Sequence, residues 1–169
     1  MTLLHAAPQP VLQGYLLLLL NLLEADVTPT IIVRRRKPET VAHVGIQMLS
    51  ARGRHDLPLA FRPFSSESVR VLTTCQELHQ ISVRMKNCLC QPEWAVATLL
   101  GRLLIVFVDF GGIQAVAELV PSEDSWIPRA ILGKGNARLN PDLHARARQH
   151  IVQECNRSMP VAPEIYRGR

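Results

Sequence analysis

Hydrophobic and polar positions follow two periods along this chain, and the changes of period mark its elements. Val11–Ala25 is apolar almost all round and stands behind Pro10, a residue preorganised for the first turn of a helix. A helix without a polar face must be buried, in its own chain or against a partner. Thr28–Val33 is short and β-branched, which suits a strand or an extended connector. From Glu39 to Arg52 the residues Val41, Val44, Met48 and Leu49 share one helical face, and Gly53 offers a stop. Arg54–Ser68, with Pro58, Pro63 and a run of serines, reads as a connector.

Beyond it, Thr74 and Glu77 have the spacing of a capping box and open a third helix. Leu78, Ile81, Met85 and Cys88 form its inward side, and Asn87 is expected to close it in a left-handed conformation. Pro92 begins a short helix with Trp94, Val96 and Leu100, stopped by Gly101. Leu103–Val108 is apolar on both faces and predicts a central strand. Gly111 and Gly112 allow a tight turn, after which Ile113–Val120 alternates: Ile113, Ala115, Ala117 and Leu119 on one face, Gln114 and Glu118 on the other. Pro121–Ser125 reads as a turn. Trp126–Leu132 is the third strand, and Pro128 places it at an edge or a bulge. Asn140-Pro141-Asp142 is a helix start, and the helix to Asn156 buries Leu143, Ala147, Ile151 and Cys155.

These elements predict an α+β fold: a helical N-terminal preface over 1–57, then an α+β domain over 69–156 and a tail over 157–169. The domain is expected to hold a three-stranded antiparallel meander with flanking helices. Composition agrees with a globular chain, since 47% of the 169 residues are hydrophobic and 20% charged, which excludes wholesale disorder, collagen and coiled coil. The apolar run Tyr15–Leu23 is too short for a membrane span and lacks the flanks of a signal peptide. No membrane association and a cytoplasmic location are expected, with Cys75, Cys88, Cys90 and Cys155 reduced.

The net charge of +5 is unevenly spread. Residues 34–70 and 129–169 each carry a net +5, while 71–128 is acidic at −3 and 1–33 at −2. Clustered cations form either an ordinary solvated surface or a contact for a polyanion, whose counterions they release. Arg34, Arg35, Arg36 and Lys37 are the cations of the first cluster that point to DNA or RNA. In the second they are Arg129, Lys134, Arg138, Arg146 and Arg148. Gly133-Lys134-Gly135-Asn136 draws most interest: its glycines permit close backbone approach and Lys134 adds charge. It is not a phosphate-binding P-loop sequence, and a plain strand-to-helix turn is the competing reading.

Catalytic signals are sparse. Cys88 follows the C-terminus of a helix, which disfavours a thiolate, and His79 lies too far upstream to assist it. The cysteines lack the paired spacing of a zinc knuckle, so neither metal nor cofactor is expected. Asp109 and Glu118 are placed as hairpin surface residues that could neighbour each other across the strands.

An ordered set of features resembles the PcfJ-like family of conjugative plasmids and other mobile elements. It consists of Leu72-Thr73-Thr74 before a helix, Met85-Lys86-Asn87-Cys88 closing it, and Gly101 before the strand Leu103–Val108. Ala115–Leu119 in the next strand and the loop Gly133–Asn136 before the last helix complete it. The resemblance covers 69–153 and singles out Asn87, Cys88, Gly135 and Asn136 as motif residues. The chain departs from it at Trp94, where the family favours Tyr, and at the apolar Ala130-Ile131-Leu132, where the family has a Gln. The resemblance implies a bacterial protein tied to plasmid conjugation and mobile DNA, with no defined reaction.

The leading expectation is a non-enzymatic accessory protein that binds nucleic acid through phosphate contacts. The alternatives are a protein-interaction module that docks or homodimerises through the helix over residues 11–25, and an enzyme using Cys88.

Overall fold

The computed structural model describes residues 9–24, 37–51, 53, 66–122 and 125–158. Helix α1 spans Gln9–Glu24 and α2 Pro38–Ala51; strand β1 is Val69–Leu72. Helices α3 (Cys75–Met85) and α4 (Pro92–Leu99) follow, then β2 (Leu104–Phe110), β3 (Ile113–Ser122) and β4 (Ser125–Leu132). A short 3-10 turn at Lys134–Asn136 leads to α5, Pro141–Ser158. The expected strand or connector over 28–33 lies outside the described residues, as does most of the connector over 54–68.

The sheet has four antiparallel strands in the order β1-β2-β3-β4, not the expected three. The added strand is β1, whose Val69, Arg70, Val71 and Leu72 pair with Val108, Phe107, Val106 and Ile105. Four residues are too few to display an alternating pattern, and the partner strand is remote in sequence; only tertiary pairing defines β1. The strand apolar on both faces, β2, is interior and buried from Leu104 to Val108. Gly111 and Gly112 adopt φ of +56° and +80°, the two left-handed positions of a two-residue hairpin turn. The expected turn at 121–125 is corrected: β3 and β4 stay paired out to Ser122 and Ser125. Pro128 sits where register requires: β4 is an edge strand, and the pairing jumps from Glu118–Ala130 to Leu119–Pro128, leaving Arg129 as the extra residue of a bulge.

Helices cover both faces of the sheet. Ile105, Phe107, Val116 and Leu72 pack with the helical layer that includes Leu18, Leu22, Ile46, Leu78 and Leu99. On the other face Val106, Val108, Ala115, Ala117 and Leu119 meet Ala147, Ile151 and Cys155 of α5. The all-round apolar α1 is buried at Leu18 and Leu22, while Leu16 and Leu20 remain 51% and 58% exposed. Close approach needs glycine here: a Cβ on Gly14 would lie 2.2 Å from the Leu99 carbonyl oxygen, and Gly45 faces the Leu18 side chain.

The Thr74–Glu77 capping box forms, with a shift of one residue. Thr74 Oγ1 accepts from the Glu77 N–H at 3.1 Å, but the Glu77 carboxylate accepts from Thr73 N at 2.6 Å and from Thr73 Oγ1. At the other end Lys86, not Asn87, takes the left-handed conformation, with φ 52°. The Asn87 N–H then reaches the Ser82 carbonyl and the Lys86 N–H the Val83 carbonyl, which caps α3 with a Schellman turn.

Candidate nucleic-acid interface

The Schellman turn throws Asn87 and Cys88 off the end of α3 toward the loop that follows β4. Ser82 Oγ donates to the Asn87 carbonyl at 2.6 Å, and Asn87 Oδ1 accepts from the Leu89 N–H at 3.2 Å, which fixes the turn locally. The facing loop is pinned by the Gly133 N–H on the Ala137 carbonyl at 2.8 Å and by a bridge between Leu132 and Arg138. Gly135 and Asn136 both carry positive φ, 66° and 60°. That conformation aims the Asn136 side chain at α3, where its Nδ2 donates to Cys88 Sγ at 3.9 Å. Cys88 and Asn136, remote in sequence, thus meet, with Asn87 and Gly135 their chain neighbours.

Three exposed cations lie within two residues of this contact along the chain: Lys86 before Cys88, and Lys134 and Arg138 on either side of Asn136. Among the described residues none of the three pairs with a carboxylate. Lys86 escaped the sequence reading because it lies in the acidic central segment; only the packing of α3 on the 3-10 turn brings its turn to the same loop as Lys134.

The other sequence-selected cations are dispersed. Arg34, Arg35 and Arg36 lie outside the described residues. Lys37 is exposed ahead of α2, where its carbonyl accepts from the N–H groups of Thr40 and Val41. It belongs to the helical layer, on the far side of the sheet from α5, so Lys37 does not join Arg146 and Arg148 in one patch. Arg129 is held by Glu118, with Nη2 at 2.6 Å and Nε at 2.9 Å from the same carboxylate oxygen. Arg146 stands over the Phe110 ring at 5.9 Å, and Arg148 donates to the Pro128 carbonyl at 2.9 Å.

The hairpin carboxylates do not form a pair. Asp109 is opposite Gln114 and Glu118 opposite Ile105, in separate rows of the sheet. Asp109 instead accepts from Arg84 at 3.1 Å and Gln114 at 2.9 Å, and Arg84 lies 4.7 Å above the Phe107 ring. Glu39 bonds Arg102, whose guanidinium draws its carboxyl below the usual carboxylate range. All four cysteines are free thiols, and burial pushes Cys75 up to about 11 and Cys155 up to about 12. A cavity of about 930 Å³ beside α2, α3 and α4 has Ile46, Leu78, Leu89 and Ala95 in its wall, with Cys75 and His79.

One further pair was not visible in the sequence. Ser68 Oγ lies 2.8 Å from His150 Nε2, and the imidazole stacks on Phe110 at 3.9 Å. This links the start of β1 to α5 and fixes the edge of the sheet against its covering helix.

The fold defines an α+β protein whose four-stranded antiparallel sheet lies between a helical layer and a single closing helix. No helix among the described residues is long and apolar enough to cross a membrane. No protein-family model, curated protein or solved structure matches the chain.

Proposed function

We propose that this chain is a non-enzymatic, nucleic-acid-associated accessory protein of a mobile genetic element, acting in the cytoplasm. It holds DNA or RNA through phosphate contacts at the α3 turn and the Gly133–Asn136 loop. The observation that carries this reading is the trio Lys86, Lys134 and Arg138, exposed and, among the described residues, without acidic partners, flanking the contact of Cys88 with Asn136. Unpaired clustered cations favour a polyanion, because each phosphate they meet releases condensed counterions. The likeness of the Asn87-Cys88 and Gly135-Asn136 motifs to those of the PcfJ-like family adds mobile DNA as the setting. In this reading Cys88 serves the site by accepting from Asn136, which supports the loop.

Fluorescence anisotropy on two oligonucleotides of unrelated sequence tests the reading. The Lys134→Ala/Arg138→Ala variant should weaken binding to both alike and flatten the salt dependence by about 0.9 per lost phosphate contact. Absence of binding at about 50 mM salt, a concentration where phosphate contacts are strong, would remove the reading.

A second reading has one observation of its own: the exposed Leu16 and Leu20 of α1, one turn apart, suit a protein partner or a second copy of the chain. Size-exclusion chromatography of Leu16→Gln/Leu20→Gln should then show a smaller species than the parent.

A further inference from the structure

Helix α5 carries a solvent-facing polar stripe, in which Arg146 stands over Phe110 and Arg157 pairs with Glu154. Asp142, Arg146, Gln149, Gln153 and Arg157 follow one another at steps of four, three, four and four residues, and all five are exposed. They lie opposite Ala147, Ile151 and Cys155, the side chains α5 buries against the sheet. At 1.5 Å per residue the stripe is about 22 Å long.

We propose that α5 is a reading helix whose outer face enters the major groove of double-stranded DNA and selects bases through Gln149 and Gln153. This rests on the nucleic-acid reading above and names its partner. The side-chain types are those of base readout: Gln pairs bidentately with adenine, Arg with guanine, and a carboxylate such as Asp142 accepts from the cytosine amine. The helix is also free of opposing charge along the stripe beyond Asp142, since Glu154 is largely covered, with 13% of its side chain accessible, and is paired with Arg157 at 3.4 Å. Its diameter of about 10–12 Å matches a B-form major groove of about 12 Å. The deep, narrow major groove of A-form RNA does not admit a helix, so the same face discriminates against duplex RNA. The sheet behind α5 holds it rigid, with Arg146 set over Phe110 on one flank and Arg148 tied to the Pro128 carbonyl on the other. Lys134 and Arg138, both exposed, precede the first turn of α5 in the chain.

The full chain is incubated with a randomised 20-bp duplex DNA library, the bound pool is sequenced, and affinities for a bound DNA duplex and the duplex RNA of the same sequence are compared. The inference expects a short enriched motif containing adenine and at least tenfold weaker binding to the RNA. Gln149→Ala/Gln153→Ala should lower affinity for the enriched duplex about tenfold, toward that for an unrelated duplex held by phosphate contacts alone. Both residues are exposed, and unchanged thermal unfolding of the variant confirms that its fold is intact. Binding that is equal on DNA and RNA, a bound pool without enrichment, or enrichment that survives the double variant each overturns the inference while leaving phosphate binding standing. No binding to either duplex overturns both.

Discussion

Asn136 and Cys88 stand 48 residues apart in sequence, and the Asn136 amide donates to the Cys88 sulfur across 3.9 Å. The contact depends on two backbone conformations that disfavour ordinary side chains: φ 52° at Lys86 and φ 60° at Asn136. Asn tolerates the left-handed region better than most residues because its short polar side chain bonds locally. Here that tolerance places an amide on the thiol and joins the α3 turn to the cationic loop.

The conformation of Asn136 and its contact separate by substitution. Asn136→Gly keeps the left-handed backbone and loses only a weak bond to sulfur, so it should change stability by less than about 0.5 kcal/mol. Asn136→Val imposes a β-branched side chain on the same φ and should cost about 1–2 kcal/mol. Urea denaturation of the two variants gives the comparison, and equal losses would show that the contact, not the backbone, matters.

Ser68 and His150 offer a double-mutant cycle. Their 2.8 Å bond is half-buried and ties β1 to α5, so its net worth should be about 0.5–1.5 kcal/mol. Ser68→Ala and His150→Ala should each destabilise the protein. Because they are direct partners, the double variant should lose less than the sum of the two. His150→Ala should be the more costly single change, since it also removes the stack on Phe110. Strict additivity in chemical denaturation would rule out a stabilising bond.

Gly14 sets two helix effects against each other. Gly→Ala in a helix interior is worth about 1 kcal/mol of propensity. At this position the new Cβ would stand 2.2 Å from the backbone oxygen of Leu99, which no rotamer relieves. Overpacking of this kind costs about 1–3 kcal/mol, so Gly14→Ala should be net destabilising and should loosen α1 from α4. Hydrogen exchange localised to α1, with a lowered midpoint of unfolding, is the expected result.

The buried thiols give stability a dependence on alkaline pH. Cys75 and Cys155 are raised in the folded state from 9.0 to about 11 and about 12, because burial penalises the thiolate. Between these values the unfolded chain releases protons that the folded chain keeps, so stability falls as pH rises. The contribution is intact below pH 9.0 and is lost progressively on going up toward about 11 for Cys75 and about 12 for Cys155. Urea midpoints measured at several pH values should decline across that window. Cys155→Ala, less stable overall because of the cavity it leaves, should show a shallower decline. Iodoacetamide should modify exposed Cys90 well before half-buried Cys75 or buried Cys155.

The local signals in the sequence were sufficient for much of this protein. The run Leu104–Val108 declared an interior strand because a strand buried on both faces cannot alternate. Gly111-Gly112 determined the hairpin, Pro128 the edge and its bulge, and Asn140-Pro141-Asp142 the start of α5, because each acts through its own backbone or its nearest neighbours. What only the tertiary structure decided is non-local. Strand β1 is four residues that become a strand by pairing with β2, and no periodicity over so short a span distinguishes them from a connector. The left-handed cap fell on Lys86, one residue before Asn87, whose side chain suits that conformation better, because α3 ends at Met85 and the Ser82 and Val83 carbonyls are closed by the next two N–H groups. The cation set is only partly legible in the charge pattern, which holds Lys134 and Arg138 in its second basic segment but not Lys86. Lys86 comes from the acidic middle of the chain, while Lys37 and Arg148, from the two basic segments, end on opposite sides of the sheet. Net charge along a sequence says how many cations there are; the crossing of α3 over the loop after β4 decides which of them stand together.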